Sequence, residues 1–273
     1  MRRCVILGAA PFDKTDALRP LLRAEDVFVV ADGGVRLAAA LGVSPTLTVS
    51  DCDSAPKPTG DFVHLPVRKD DTDTRAAMNI AFARGFREFL LLGCLGGRFD
   101  HTVANLLSAR QMTEKGCRVV LADEKNEITV LTPGSYPLAR AGDRKVSFFA
   151  MTQAVSGLCL RGLLYPLENY TLLSDDPLCV GNALADETAT VSFAAGFFQR
   201  IDTLSALLHI LLVQGAIVRD ETEATPMKKG SCTGVVCAAF GAGLLTATIL
   251  PTKFVLVLVA VALIVAGCSC NKC

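Results

Sequence analysis

Short apolar runs alternate with amphipathic stretches from residue 4 to about residue 122. Segments 4–7, 27–31, 47–50, 62–65, 89–92 and 119–122 are short and largely apolar, which predicts strands buried on both faces. Between them, segments 15–23, 35–41, 72–84 and 101–115 carry apolar residues at helical spacing. Strands alternating with helices predict an α/β fold whose parallel sheet is covered on both sides. Ligand sites in such folds lie at the carboxyl ends of the strands.

Past residue 123 the texture changes. Segments 127–131, 144–149, 157–160, 172–173, 178–180 and 188–193 are short and divided by turn formers such as Pro133-Gly134 and Asp175-Asp176-Pro177. This predicts a small all-β unit built as a sandwich. The expected organisation is an α/β domain over 1–124, a β-sandwich over 125–203, and an apolar helix with a polar linker over 204–230. A tail follows over 231–271, where Lys253 is the one charged residue. About 20 apolar residues cross a bilayer, so the tail reads as a transmembrane helical hairpin turning near Pro251. Lys228-Lys229 ahead of it and Lys272 behind it place both ends on the cytoplasmic side.

Composition alters this picture in two respects. With 27 basic against 27 acidic residues, nothing supports a nucleic-acid surface, which needs clustered positive charge. Of the eleven cysteines, an odd number, six are scattered singly through the first 203 residues and lack zinc-ligand spacing there. The apolar run at 4–7 is too short for a signal sequence. A cytoplasmic catalytic part, anchored to the plasma membrane by the tail, is therefore expected.

Four loops that follow strands carry the candidate chemistry. Ala31-Asp32-Gly33-Gly34 leaves the second strand, and Ser50-Asp51-Cys52-Asp53-Ser54 leaves the third. Two carboxylates at i and i+2 suit a hard cation such as Mg²⁺. Lys69-Asp70-Asp71-Thr72-Asp73 opens a helix, with Lys69 as a phosphate-binding charge beside carboxylates. Thr72 or Asp73 could equally serve there as a plain N-cap. Gly96-Gly97-Arg98-Phe99-Asp100-His101 joins a strand to a helix, where backbone N–H groups can approach phosphate oxygens and Arg98 can clamp one. Parallel topology brings these loops to one edge, and clustered carboxylates imply a cation among them. Metal, lysine, arginine and glycine loops together form the apparatus of phosphoryl transfer from a nucleotide.

In these motifs, with Asn105, Asp123-Glu124-Lys125-Asn126 and Gly162-Leu163-Leu164-Tyr165-Pro166-Leu167 following in order, the sequence resembles the thiamine pyrophosphokinase family over about residues 1–203. The resemblance implies an ATP- and Mg²⁺-binding α/β domain, a thiamine-binding sandwich, and a homodimer with its active site between subunits. It implies attack of the thiamine hydroxyl on the β-phosphorus of ATP, with release of AMP. By the same resemblance Asp51, Asp53 and Asp73 hold the metal and act in catalysis with Arg98 and Asp100. Asp32, Gly33, Gly34, Lys69, Asp70, Thr72, Gly96, Gly97, His101 and Asn105 bind the nucleotide, and Gly181 and Asn182 meet thiamine.

Two positions depart from the family pattern. Its usual Gly-Asp-Phe-Asp-Ser reads Ser50-Asp51-Cys52-Asp53-Ser54, with both carboxylates kept. Its usual Ser-Asn reads Gly181-Asn182, which removes a hydroxyl able to form one hydrogen bond of about 1 kcal/mol. The tail lies outside the pattern altogether. Two other readings compete: a membrane-tethered thiamine-binding or sensing module without activity, and a phosphohydrolase of the haloacid dehalogenase type.

Overall fold

The computed structural model describes residues 2–50, 61–64, 71–139 and 144–203. The first half contains β1 (Cys4–Leu7), β2 (Val27–Ala31), α1 (Val35–Leu41), β3 (Leu47–Ser50), β4 (Phe62–His64), α2 (Asp73–Ala83), β5 (Glu88–Leu92), α3 (Phe99–Glu114) and β6 (Arg118–Ala122). These strands pair in parallel in the order β4-β3-β2-β1-β5-β6. Ile6 lies between Val29 of β2 and Leu91 of β5, so β1 is flanked on both edges.

Burial on both faces explains the continuous apolar runs. Cys4, Ile6, Val29, Phe89 and Leu91 pack with Met78 and Ala81 of α2 and Met112 of α3. Their neighbours Val5, Leu7, Val30 and Leu90 point the other way, against Leu37 and Leu41 of α1. Segment 15–23 does not form the expected helix; within it only Arg19–Leu21 is helical, as a single 3₁₀ turn. Pro20 lacks the N–H that a longer helix would use there.

The second half contains β7 (Asn126–Leu131), β8 (Gly134–Ala139), β9 (Lys145–Ala150), β10 (Ala154–Arg161), β11 (Leu167–Leu173), β12 (Thr188–Phe193) and β13 (Phe198–Thr203). Three of these extend the first sheet: β7 joins β6 antiparallel, and β13 and β9 follow, giving nine strands. The other four form a separate antiparallel sheet, β11-β10-β12-β8. Phe148 and Phe198 from the large sheet stack with centroids 5.0 Å apart, and Phe193 from the small sheet packs on Phe198. The sandwich therefore takes one of its layers from the end of the nucleotide-type sheet.

Segment 178–180, expected as a strand, lies in a turn. Strands β8 and β13 are the ones that sequence patterning missed. Pro137 in β8 is tolerated because β8 is an edge strand, where a missing N–H breaks no ladder bond on the open side. In β13 the alternation is hidden by the buried polar residues Gln199 and Asp202. Asp202 is compensated by Arg200, with an N–O distance of 2.7 Å, and by Arg144 at 3.8 Å. Among the described residues, no helix is long and apolar enough to cross a membrane. The proposed hairpin at 231–271 lies outside the described residues.

Candidate active site

The parallel strands change direction of progression at β1 and β5: the chain builds β2, β3 and β4 on one side and returns to add β5 and β6 on the other. Side-by-side strands whose following loops diverge leave a crevice at their carboxyl ends. Here the loop after β1 is tied across to the loop after β5 by Gly8 N–H to Leu92 O at 2.8 Å and Ala10 N–H to Gly93 O at 2.9 Å.

A cavity of about 350 Å³ opens at this crevice, within the usual range for small-molecule sites. Asp32, Thr72, Asp73, Gly96, Gly97, Arg98, His101 and Asn105 line it, together with Ala9, Ala10 and Pro11 from the loop after β1. Eight of the expected residues are thus gathered in one place. The loop after β1 escaped sequence reading because its small apolar residues carry no side-chain chemistry.

Each side chain is placed by its local structure. Asp32 takes φ +45°, a left-handed conformation that Asp tolerates better than most residues, and accepts a hydrogen bond from Ser50 Oγ at 3.1 Å. Gly34 lies so close to β1 that a Cβ there would stand 2.0 Å from Leu7 O, so only glycine lets this turn seat under the sheet edge. Thr72 caps α2, its Oγ1 accepting from Arg75 N–H at 3.2 Å, which fixes the neighbouring Asp73 in the first turn. Asn105 is buried and donates Nδ2–H to Cys94 O at 2.8 Å, fastening α3 to the glycine loop.

Arg98 and Asp100 form a two-pronged pair, Nη2 to Oδ2 at 2.6 Å and Nε to Oδ1 at 3.2 Å. Hydrogen bonding to Asp100 raises the arginine's pKa, and the same contact holds the Asp100 carboxyl below its usual range. The pair is exposed, and Asp100 itself does not line the cavity. Cys94 does line it, but burial pushes its thiol up to about 12, so it stays protonated. Asp51, Asp53, Lys69 and Asp70 lie outside the described residues. Among the described residues, no group of three His, Cys, Asp or Glu side chains could hold a metal ion.

The expected thiamine contacts lie far along the chain, in the small sheet's loops. Asn182 is 2% exposed, and both ends of its amide are hydrogen-bonded. Oδ1 accepts from Tyr165 N–H at 3.1 Å and from Ala183 N–H at 2.9 Å, while Nδ2 donates to Tyr165 O at 2.9 Å. What reaches solvent is Tyr165, 66% exposed. Gly181 has φ +73°, a conformation that disfavours the serine of the family pattern.

A family model described as thiamin pyrophosphokinase, catalytic domain, matches residues 18–121, and one described as thiamin pyrophosphokinase, vitamin B1 binding domain, matches residues 136–198. The chain belongs to the thiamin pyrophosphokinase family. Among thiamine pyrophosphokinases, that of Bacillus subtilis (strain 168) is 26% identical over 166 residues, spanning 60% of this chain and 78% of the relative. The crystal structure of thiamin pyrophosphokinase from Geobacillus thermodenitrificans superposes with a TM-score of 0.65 at 26% identity, covering 76% of this chain and 99% of the other. The Bacillus subtilis crystal structure gives a TM-score of 0.67 over 75% of this chain and 100% of the other, and at 23% identity it speaks for the fold alone. The catalytic match of the family contains Asp32, Thr72, Asp73 and the whole loop from Gly96 to His101.

Proposed function

We propose that this chain is a thiamine pyrophosphokinase that transfers the pyrophosphoryl group of ATP to the hydroxyl of thiamine, giving thiamine pyrophosphate and AMP. The observation that carries the reading is the convergence of Asp32, Asp73, Arg98 and His101 on one cavity at the switch point of the parallel sheet, inside the segment that matches the family's catalytic domain. In the transfer, the hydroxyl oxygen bonds to the β-phosphorus and loses its proton. The bond between that phosphorus and the α–β bridging oxygen breaks, and AMP departs.

The oxygen donors around the cavity suit Mg²⁺: the carboxylates of Asp32 and Asp73 and the hydroxyl of Thr72 are hard ligands. Ser50, which immediately precedes Asp51 in the sequence, donates its hydroxyl to Asp32 of the cavity. Asp51, Asp53 and Asp73 are the proposed ligands. Bound there, Mg²⁺ would neutralise phosphate charge during transfer. Arg98 presents a planar fork to the phosphates once it exchanges Asp100 for them. That exchange is easy because an exposed ion pair contributes little. Tyr165, held by Asn182, offers an exposed aromatic face for the cationic thiazolium ring of thiamine.

The proposal includes a homodimer. Phe99, Val103 and Leu107 recur every fourth residue along α3 and are exposed, Phe99 by 78%, as are Leu164 and Tyr165 on the small sheet's loops. Apolar faces of this kind are what a second copy would cover. It also keeps the tail as a membrane hairpin, on the strength of its uncharged runs. Full-length protein that stays soluble without detergent would remove that part.

The decisive experiment incubates purified protein with ATP, Mg²⁺ and thiamine and resolves the nucleotides by chromatography. Thiamine pyrophosphate and AMP in equal amounts are expected. Stoichiometric ADP would mean ordinary kinase chemistry at the γ-phosphorus, and no thiamine product would leave a binding module.

A further inference from the structure

Strand β3 ends on a polar residue in a core setting. Leu47, Thr48 and Val49 are buried, and Ser50 after them is 5% exposed. The strand is fixed on both sides: Val49 is in register with Ala31 of β2, and Ser50 with His64 of β4. A hydroxyl buried in such a sheet costs stability unless it is hydrogen-bonded. Ser50 Oγ donates to Asp32 Oδ1 at 3.1 Å, from the end of β3 to the turn that follows β2.

The backbone of Asp32 is constrained as well. It opens the 3₁₀ turn Asp32–Gly34, directly after β2. Gly34 is seated against Leu7 O, and a Cβ on Gly33 would stand 3.1 Å from the Cβ of Ala9. With φ at +45° and two close-packed glycines behind it, Asp32 has little backbone freedom. Its carboxylate retains its side-chain torsions, and the bond from Ser50 restrains these. The carboxylate therefore meets the cavity that Asp32 lines in one orientation.

We propose that Ser50 is a positioning residue for the transfer: it touches no substrate but sets the plane of the Asp32 carboxylate. The inference rests on reading the cavity as the site of pyrophosphoryl transfer. Ser50 is not among the described residues that line it, so its hydroxyl acts on the reaction through Asp32. A hydroxyl that only completed the sheet would affect stability and leave turnover untouched. One that orients a carboxylate in advance favours the transition state, because less reorganisation is needed during transfer.

The test is a double-mutant cycle on the full-length protein with two readouts. One is turnover of ATP and thiamine; the other is calorimetric binding, in Mg²⁺, of α,β-methylene-ATP, which cannot be cleaved at the α–β bridge. Ser50→Ala should lower kcat about fivefold or more, the worth of one hydrogen bond, and weaken analogue binding about threefold. The KM for thiamine should stay within about twofold. In an Asp32→Asn background the same replacement should change either readout by less than about twofold, because the group it positions has lost its charge. Ser50→Cys, close in shape but a weak donor, should reproduce the losses and decides the matter if the alanine variant folds poorly. Thr48→Val, two residues earlier on the same face of β3, controls for disturbance of the strand and should leave kcat near wild type. Wild-type kcat in the Ser50 variants, equal losses in both backgrounds, or equal losses in Thr48→Val overturns the inference. Wild-type protein that neither turns over nor binds the analogue would bring down the proposed function itself, whereas an active wild type with additive losses removes Ser50 alone.

Discussion

The side chain of Asn182 pairs with the backbone of Tyr165 as a neighbouring strand would, accepting its N–H at 3.1 Å and donating to its carbonyl at 2.9 Å. An amide buried this deeply cannot be removed without stranding its partners. Asn182→Ala should cost about 1–3 kcal/mol in urea unfolding. It should also raise the KM for thiamine with little change in the KM for ATP, because Tyr165 loses its anchor. Equal effects on both substrates would show that Asn182 supports the fold and not thiamine binding.

Asp32 separates conformation from chemistry. Asparagine tolerates the same positive φ, so Asp32→Asn should leave stability within about 1 kcal/mol of wild type. Removing its charge from the cavity should lower kcat at least a hundredfold, a loss of about 2.7 kcal/mol in transition-state stabilisation. Parallel measurement of unfolding and turnover decides this, and near-normal kcat would take Asp32 out of the machinery.

Two glycines should respond in opposite ways to a side chain. At Gly34 an added Cβ would meet Leu7 O at 2.0 Å, and backbone cannot retreat from it, so Gly34→Ala should cost more than about 3 kcal/mol or prevent folding. At Gly181 nothing lies within 4 Å of the added atom, so Gly181→Ser should cost only the left-handed conformation, about 1–2 kcal/mol. It should also tighten thiamine binding if the restored hydroxyl reaches the ligand. Expression level and urea midpoints test the first part, and the KM for thiamine tests the second.

Arg98 should prove sensitive to the shape of its charge. Arg98→Lys keeps the cation but loses the fork, so kcat should fall at least tenfold while the KM for ATP changes little. Stability should not move, because the Arg98–Asp100 pair is exposed. A rise confined to the KM for ATP would restrict Arg98 to ground-state binding.

Alkaline solution should weaken the fold through buried thiols. Burial pushes Cys4 and Cys94 up to about 12 and Cys179 up to about 11, while an unfolded thiol titrates near about 8.5. Above that lower value the unfolded chain binds fewer protons than the folded one, so stability is complete below about pH 8.5 and declines as pH rises towards 11–12. Urea midpoints measured from pH 7 to 10.5 should fall over the upper part of this range. A flat profile would mean that these thiols ionise as easily in the folded protein.

Much of the parallel half was legible in the sequence. Strands buried on two faces must be apolar along their length, so β1, β2 and β3 stand at the bounds their sequence implied. Their following loops carry the polar residues, and parallel topology alone sends those loops to one edge. The stretch at 15–23 misled because its helical spacing hides Pro20. Strands β8 and β13 were invisible because an edge position excuses Pro137 and an ion pair excuses Asp202, and neither circumstance can be seen locally.

By itself, then, the sequence determined which strands are buried, which loops bear acid, base and glycine, and which family those loops belong to, since apolar pattern and motif order are local properties of the chain. Tertiary structure alone decided that β6 and β7 pair antiparallel and carry one sheet into the second half, that Asn182 spends its amide on Tyr165, and that Glu124 reaches back to Asp13 and Lys14. Each of these joins residues distant in sequence or turns a polar side chain inward. Such pairings depend on which groups are left unsatisfied once the chain has packed, and that is a property of the folded whole.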